Sequence, residues 1–236
     1  MTLTLKSRGG DVRLLQYALG ITTDGVFGNQ TLTHLKSTVL FDSSVNGTTT
    51  EKLYEYLNLI TPEHIVTSNK LLAKNIREVD VDGDGKSDNR GEEIDKMIKF
   101  VFPQFNIEDK TTKGYAWCAI FVTYVLFNSY PDAHNKLLKT ARAKDMLDWA
   151  SVQANYIKVT NINQLRRDTI VIGGWVNDNG FGHVYIVDPI KSLMQNIPDK
   201  VVTIEGNTNN AGSREGDGLY NKVRNIANNT IYQFKL

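Results

Sequence analysis

Apolar positions at the start of the chain follow a helical period. Val12, Leu14, Leu15 and Leu19 recur after Asp11, which reads as an N-cap, and Gly20 closes the run. Thr23-Asp24-Gly25 reads as a turn, with Gly25 suited to a left-handed backbone. A second helix is expected over about 29–36, with Leu32 and Leu35 inward, and a third from Thr49 with Leu53, Tyr54 and Leu57. Residues 1–60 thus form a small helical unit. The segment 61–69 contains Thr61-Pro62 and few apolar anchors, and reads as a linker.

From residue 70 to 236 the pattern changes partway. Helical spacing covers about 68–78, 91–101, 117–129 and 141–150. Strand-like runs then follow over about 156–159, 169–176, 183–188, 201–205, 221–225 and 230–235. Helices followed by consecutive strands predict an α+β domain with an antiparallel sheet.

Composition adds exclusions. Hydrophobic residues make up 41% and charged residues 22% of the 236 residues, as in a globular protein. A net charge of +1 gives no electrostatic case for nucleic acid or an anionic membrane. No stretch has the apolar length of a membrane span, and a monomer is expected. The opening residues lack the apolar run of a secretory signal. The expectation is therefore synthesis in the cytoplasm, with release to the periplasm or wall through a holin-made lesion or a secretion system.

The one cysteine, Cys118, excludes an internal disulfide, and with four histidines a sulfur-rich zinc site is not expected. Cys118 precedes the apolar run Ala119-Ile120-Phe121-Val122-Thr123-Tyr124-Val125 and follows Gly114, so it falls at a helix N-terminus. There the helix dipole and free N–H groups favour a thiolate and can hold an oxyanion. His183 opens a strand in Gly180-Phe181-Gly182-His183-Val184-Tyr185-Ile186, with Val184 and Ile186 on one face and His183 and Tyr185 on the other. A cysteine at a helix start with a histidine at a strand start is a pairing that thiol nucleophiles use. In Val202-Thr203-Ile204-Glu205-Gly206-Asn207, alternation puts Glu205 and Asn207 on the same side, where Glu205 can fix the His183 tautomer.

Taken together, Trp117-Cys118-Ala119-x-Phe121-Val122, Gly182-His183-Val184 and Glu205-Gly206-Asn207-Thr208 resemble, in order, the signatures of the CHAP family of cysteine- and histidine-dependent amidohydrolases and peptidases. Asn89-Arg90-Gly91-Glu92-Glu93-Ile94-Asp95 resembles the family's opening helix. The resemblance implies a papain-like fold over 70–236 and peptidoglycan as substrate. It makes Cys118 the nucleophile, His183 the general base, Glu205 its orienter and Asn207 an auxiliary polar residue, with Tyr115 and Trp117 beside the substrate. Arg167-Asp168 departs from the family's Gly-Asp, which should affect a turn. Residues 1–60 resemble the three-helix peptidoglycan-binding domain through Gly9, Val12, Leu15-Gln16, Leu19-Gly20, Asp24-Gly25-Val26-Phe27-Gly28 and Thr31. That resemblance implies substrate contacts at Asp24 and Phe27.

Asp80-Val81-Asp82-Gly83-Asp84-Gly85-Lys86-Ser87-Asp88 places acidic residues at alternating positions with a glycine sixth, resembling an EF-hand calcium loop, although Gly91 stands at the twelfth position. A structural calcium held by Asp80, Asp82, Asp84, Lys86, Asp88 and Glu92 is expected, while the thiol chemistry requires no metal. The expected function is an endolysin-like peptidoglycan hydrolase that cleaves an amide bond. The alternatives are a type VI-like secreted antibacterial amidase effector and a catalytically silent wall-binding protein.

Overall fold

The computed structural model describes residues 1–109, 113–195, 197, 199–209 and 216–236. Residues 1–60 carry helices α1 (Gly10–Leu19), α2 (Asn29–Lys36) and α3 (Thr50–Ile60), with strand β1 (Thr2–Leu3) paired to β2 (Thr48–Thr49). Gly20 caps α1 in the left-handed region at φ 70°, as its position predicts. The N-cap of α1 is Gly9. Asp11 lies inside the first turn, where it accepts a hydrogen bond from the Tyr54 hydroxyl at 2.7 Å.

The expected linker is helical. Helix α4 spans Glu63–Ala73, starting earlier than the 68–78 that periodicity suggested. Pro62 cannot donate a backbone hydrogen bond and so suits a helix start as well as it suits a linker. Buried His64 stands beside Ile65 on the inner face, and its Nδ1 lies 2.7 Å from the Tyr130 hydroxyl. Ser129 donates to Thr67 at 2.9 Å, so this segment packs on the helix that ends at Ser129.

Helices α5 (Glu92–Val101), α6 (Cys118–Ser129) and α7 (Ala143–Ser151) follow. The sheet is built from β3 (Ile157–Lys158), β4 (Ile170–Val176), β5 (Gly182–Asp188), β6 (Lys200–Thr208), β7 (Gly218–Asn225) and β8 (Thr230–Phe234), with a short helix α8 (Pro189–Gln195) between β5 and β6. The six strands run in the order β3-β8-β4-β5-β6-β7, every neighbouring pair antiparallel. The fold is α+β with an antiparallel sheet.

Both faces of that sheet are covered. Ile170, Ile172, Val184, Ile186 and Ile204 pack with α4 to α7. Val171, Tyr185, Val187, Val201 and Ile231 share a second core with Val12, Leu15, Leu35, Leu53 and Leu57 of the N-terminal unit and with Leu193 of α8. This explains why β5 reads as the unbroken run Val184-Tyr185-Ile186-Val187, because a strand buried on both faces has no polar side to show. Polar contacts span the same junction. Arg167 donates to the Ala18 carbonyl at 2.6 Å, Thr23 donates to the Asn163 carbonyl at 3.0 Å, and Arg13 donates to the Asn163 side chain. The Arg167-Asp168 pair therefore has a task here, since Arg167 holds the N-terminal unit and Asp168 turns the chain at φ 58°.

No helix among the described residues is long and apolar enough to cross a membrane.

Candidate functional site

Cys118 is the first residue of α6, and Trp117 precedes it as the N-cap. The helix is apolar on nearly every face, so burial fixes its axis and hence the place of its first turn. Trp117 is fully buried and donates from Nε1 to Glu78 at 2.8 Å. Its ring lies under Gly206, where an added Cβ would come within 2.5 Å of the indole. Trp117, expected beside the substrate, is thus a buried wedge that sets the spacing between α6 and β6. Tyr115 is 48% exposed and rests against Phe102, with ring centroids 4.7 Å apart, so it stays available at the surface.

His183 lies at the start of β5, buried to 1% exposure. Its Nε2 is 3.0 Å from Glu205 Oε2. Its Nδ1 is buried without a hydrogen-bond partner among the described residues, and Cys118 acts on the ring electrostatically alongside Glu205. Burial pulls the imidazole down. The hydrogen bonds and charges of Cys118 and Glu205 outweigh it and lift the group to about 9. Glu205 feels the same opposition. Burial pushes it up, but Arg224 and His183 hold it well below the usual carboxylate range.

Asn207 is buried and adopts φ 56°, within an irregularity of the β6–β7 ladder between Glu205 and Thr208. Simple alternation along β6 therefore stops at Glu205 and does not carry through the bulge to Asn207.

Two partners of Glu205 were not read from the sequence. Arg224 donates from Nε to Oε1 at 2.8 Å and from a terminal nitrogen to Oε2 at 2.5 Å, and Thr203 also donates to Oε1. The segment Asn221-Lys222-Val223-Arg224-Asn225 alternates like a solvated edge strand, with Lys222 and Arg224 both half-buried, which conceals the part Arg224 plays. The usable signal is antiparallel adjacency to the Glu205 strand, since the cations of β7 are Lys222 and Arg224.

A cleft of about 290 Å³ opens over Cys118, lined also by Ala116, Arg142, Asn179, Gly180 and Phe181. Of the candidate catalytic residues Cys118 lines this cleft, and Gly182, the neighbour of His183, lines it as well. Comparison of the chain with protein-family models, curated proteins and solved structures returns no match.

The two residues expected to touch substrate in the N-terminal unit have structural tasks. Phe27 is buried in the core at 1% exposure and presents no surface to a ligand. Asp24 is exposed, and its Oδ1 accepts from Gln16 Nε2 at 2.6 Å and from the Val26 amide at 2.8 Å. Gln16 is itself buried and accepts from the Gly25 amide at 2.8 Å. The Leu-Gln and Asp-Gly-x-Phe-Gly residues thus lace one turn to one helix.

In the acidic loop, Asp80, Asp82 and Asp88 each bring a carboxylate oxygen within 4.8 Å of the others. The backbone wraps around them, with Asp80 accepting from the Gly83 and Gly85 amides and Asp88 from the Val81 amide. Three oxygens from one tight loop suit a hard cation. Lys113 offsets part of this charge, its Nζ lying 2.7 Å from Asp88, 3.3 Å from Asp82 and 3.4 Å from Asp84. Lys86 is exposed and 4.0 Å from Asp84. Glu92 is not brought to the loop. It starts α5 and pairs outward with Lys96 at 2.8 Å, because helical spacing gives it that neighbour.

Proposed function

We propose that the chain is a cysteine-dependent peptidoglycan hydrolase of the CHAP type, with a papain-like catalytic unit and an N-terminal three-helix wall-binding unit. The observation that carries this reading is the buried His183, 3.0 Å from Glu205 and under the influence of Cys118, with Cys118 itself lining the cleft.

The chemistry follows from the side chains. Glu205 is an acceptor, so Nε2 of His183 carries the proton it shares, and Nδ1 is left for the thiol. Transfer of the Cys118 proton to Nδ1 gives a thiolate beside an imidazolium, the state that Glu205 favours. The sulfur attacks the carbonyl carbon of a wall amide. First-turn N–H groups of α6 are donors of the kind that stabilise the resulting oxyanion. The tetrahedral species collapses as the C–N bond breaks and Nδ1–H protonates the leaving amine. A thioester remains on Cys118. Water then loses a proton to Nδ1, adds to the thioester, and releases the acid and the thiol.

The acidic loop supports a structural calcium ion in this reading, held by Asp80, Asp82 and Asp88, with no part in the bond-breaking steps.

The test uses purified sacculi. Cys118→Ala should lower turnover by on the order of a thousandfold or more while leaving the circular dichroism spectrum unchanged, and His183→Ala should be as damaging. Mass spectrometry of the released fragments identifies the bond. Sacculus turnover that persists in Cys118→Ala would overturn the mechanism.

A further inference from the structure

The Glu205 carboxylate is saturated. A carboxylate offers about four lone-pair sites. Here His183 and one Arg224 nitrogen meet Oε2, while Arg224 Nε and the Thr203 hydroxyl meet Oε1. The cation that provides half of these contacts comes from an unexpected register. Tyr220 stands opposite Glu205 on β7, Lys222 opposite Thr203 and Arg224 opposite Val201. Arg224 therefore reaches back along the ribbon past Lys222, whose ammonium lies 5.1 Å over the Tyr220 ring.

Only a planar fork can meet both carboxylate oxygens at once, whereas an ammonium is a point charge. The Arg224 side chain is 20% exposed and Glu205 is fully buried, so the guanidinium also closes the carboxylate off from solvent at the sheet edge.

Resting on the cysteine hydrolase reading above, we infer that Arg224 is a positioning residue of the site, fixing the charged Glu205 carboxylate in one orientation so that Glu205 holds the Nε2–H tautomer of His183 and leaves Nδ1 to Cys118. Free of the fork, Glu205 would keep only Thr203 and His183 as donors. Burial, already the largest influence on it, would then prevail. The other ionisable groups around it are His183 and Tyr185 from β5 and Lys222 from β7, with Cys118 of α6 acting through His183. Among these only the Lys222 ammonium is a permanent cation, and it makes no ion pair with Glu205 among the described contacts.

The experiment compares the full chain with Arg224→Met and Arg224→Lys. Carboxyl-detected NMR follows the Glu205 titration, and kcat/KM on sacculi is measured across pH. In the native chain Glu205 should stay ionised well below its ordinary value. In Arg224→Met its midpoint should rise above that value, and the acid limb of kcat/KM should rise with it. At neutral pH kcat/KM should fall by about tenfold or more. Arg224→Lys should restore most of the ionisation and little of the rate, because one point charge cannot orient both oxygens. An unmoved Glu205 midpoint and acid limb in Arg224→Met would overturn the inference, as would a loss of melting temperature alone. Where Arg224→Met does not fold, Arg224→Lys decides: a rate equal to the native chain's overturns the orienting role. Failure of the hydrolase reading shows separately, as wall turnover that survives Cys118→Ala.

Discussion

The Gly114 amide donates to the carbonyl oxygen of Asp88 at 2.8 Å, which ties the acidic loop to the stretch of chain that enters α6 four residues later. The approach is so close that a Cβ on Gly114 would lie 2.0 Å from the Asn89 carbonyl oxygen. Gly114 is a contact point here, which gives a change in the loop a direct route to the turn that carries Cys118.

Calcium should therefore stabilise the fold and sharpen the site indirectly. A cation bound by the folded chain raises its melting temperature by mass action. Lys113 competes for the same oxygens, so Lys113→Met should bind calcium more tightly than the native chain, and Asp82→Asn with Asp88→Asn should abolish binding. Calorimetry and melting curves over a calcium titration check both. A native melting temperature that ignores calcium returns the loop to a turn paired with Lys113.

The buried pair should give stability a defined pH window. His183 is lifted from an ordinary 6.5 to about 9, so its contribution is complete below about 6.5 and is lost as pH rises through 9. Glu205 is depressed from 4.5, so its contribution is complete above that value and is lost in strong acid. Urea melts should show native stability declining from pH 6.5 to 9.5. In His183→Gln the decline should be shallower, and equal slopes in the two proteins would refute the assignment.

Gly206→Ala tests the contact between β6 and Trp117. The new methyl would press into a fully buried indole ring, itself held by Glu78, and nearby Phe121 leaves no room to shift. Overpacking of this kind costs about 1–3 kcal/mol. Denaturant melts should find that loss, together with a drop in sacculus turnover as α6 and β6 are pushed apart. A neutral Gly206→Ala would mean that the wedge is soft.

Much of the site was legible because its chemistry has local signatures. A cysteine before an apolar helix, a histidine opening a strand and Glu205 on a later strand each need only their own neighbours to be read. The alternation of β5 was legible too, with Val184 and Ile186 in one core and Tyr185 in the other. Arg224 was not, since its role depends on a ladder register and a long diagonal reach that no local pattern encodes. Helix α4 was obscured because Thr61-Pro62 opens a helix and a linker alike, and because its buried face uses His64 and Ser68 where periodicity looks for apolar residues. Helix α8 was missed for a related reason: Pro189 begins it, and seven residues are too few to show a period.

The core that residues 1–60 share with the back of the sheet bears on how a hydrolase of the proposed kind would search a polymer. A binder on a slack tether lets its partner sample a sphere of bonds around each anchor point. Here Tyr185, only two residues from His183, is sealed beneath the N-terminal helices, so the N-terminal unit and the cleft are mounted on one frame. If residues 1–60 hold the wall, they act as a ruler that presents the cleft with bonds at one set offset along the mesh. They also cannot be exchanged as a cassette. A chain lacking 1–60 would expose Val171, Tyr185, Val187, Val201 and Ile231 together, and is expected to aggregate on expression unless a substitute brings a face shaped to cover them.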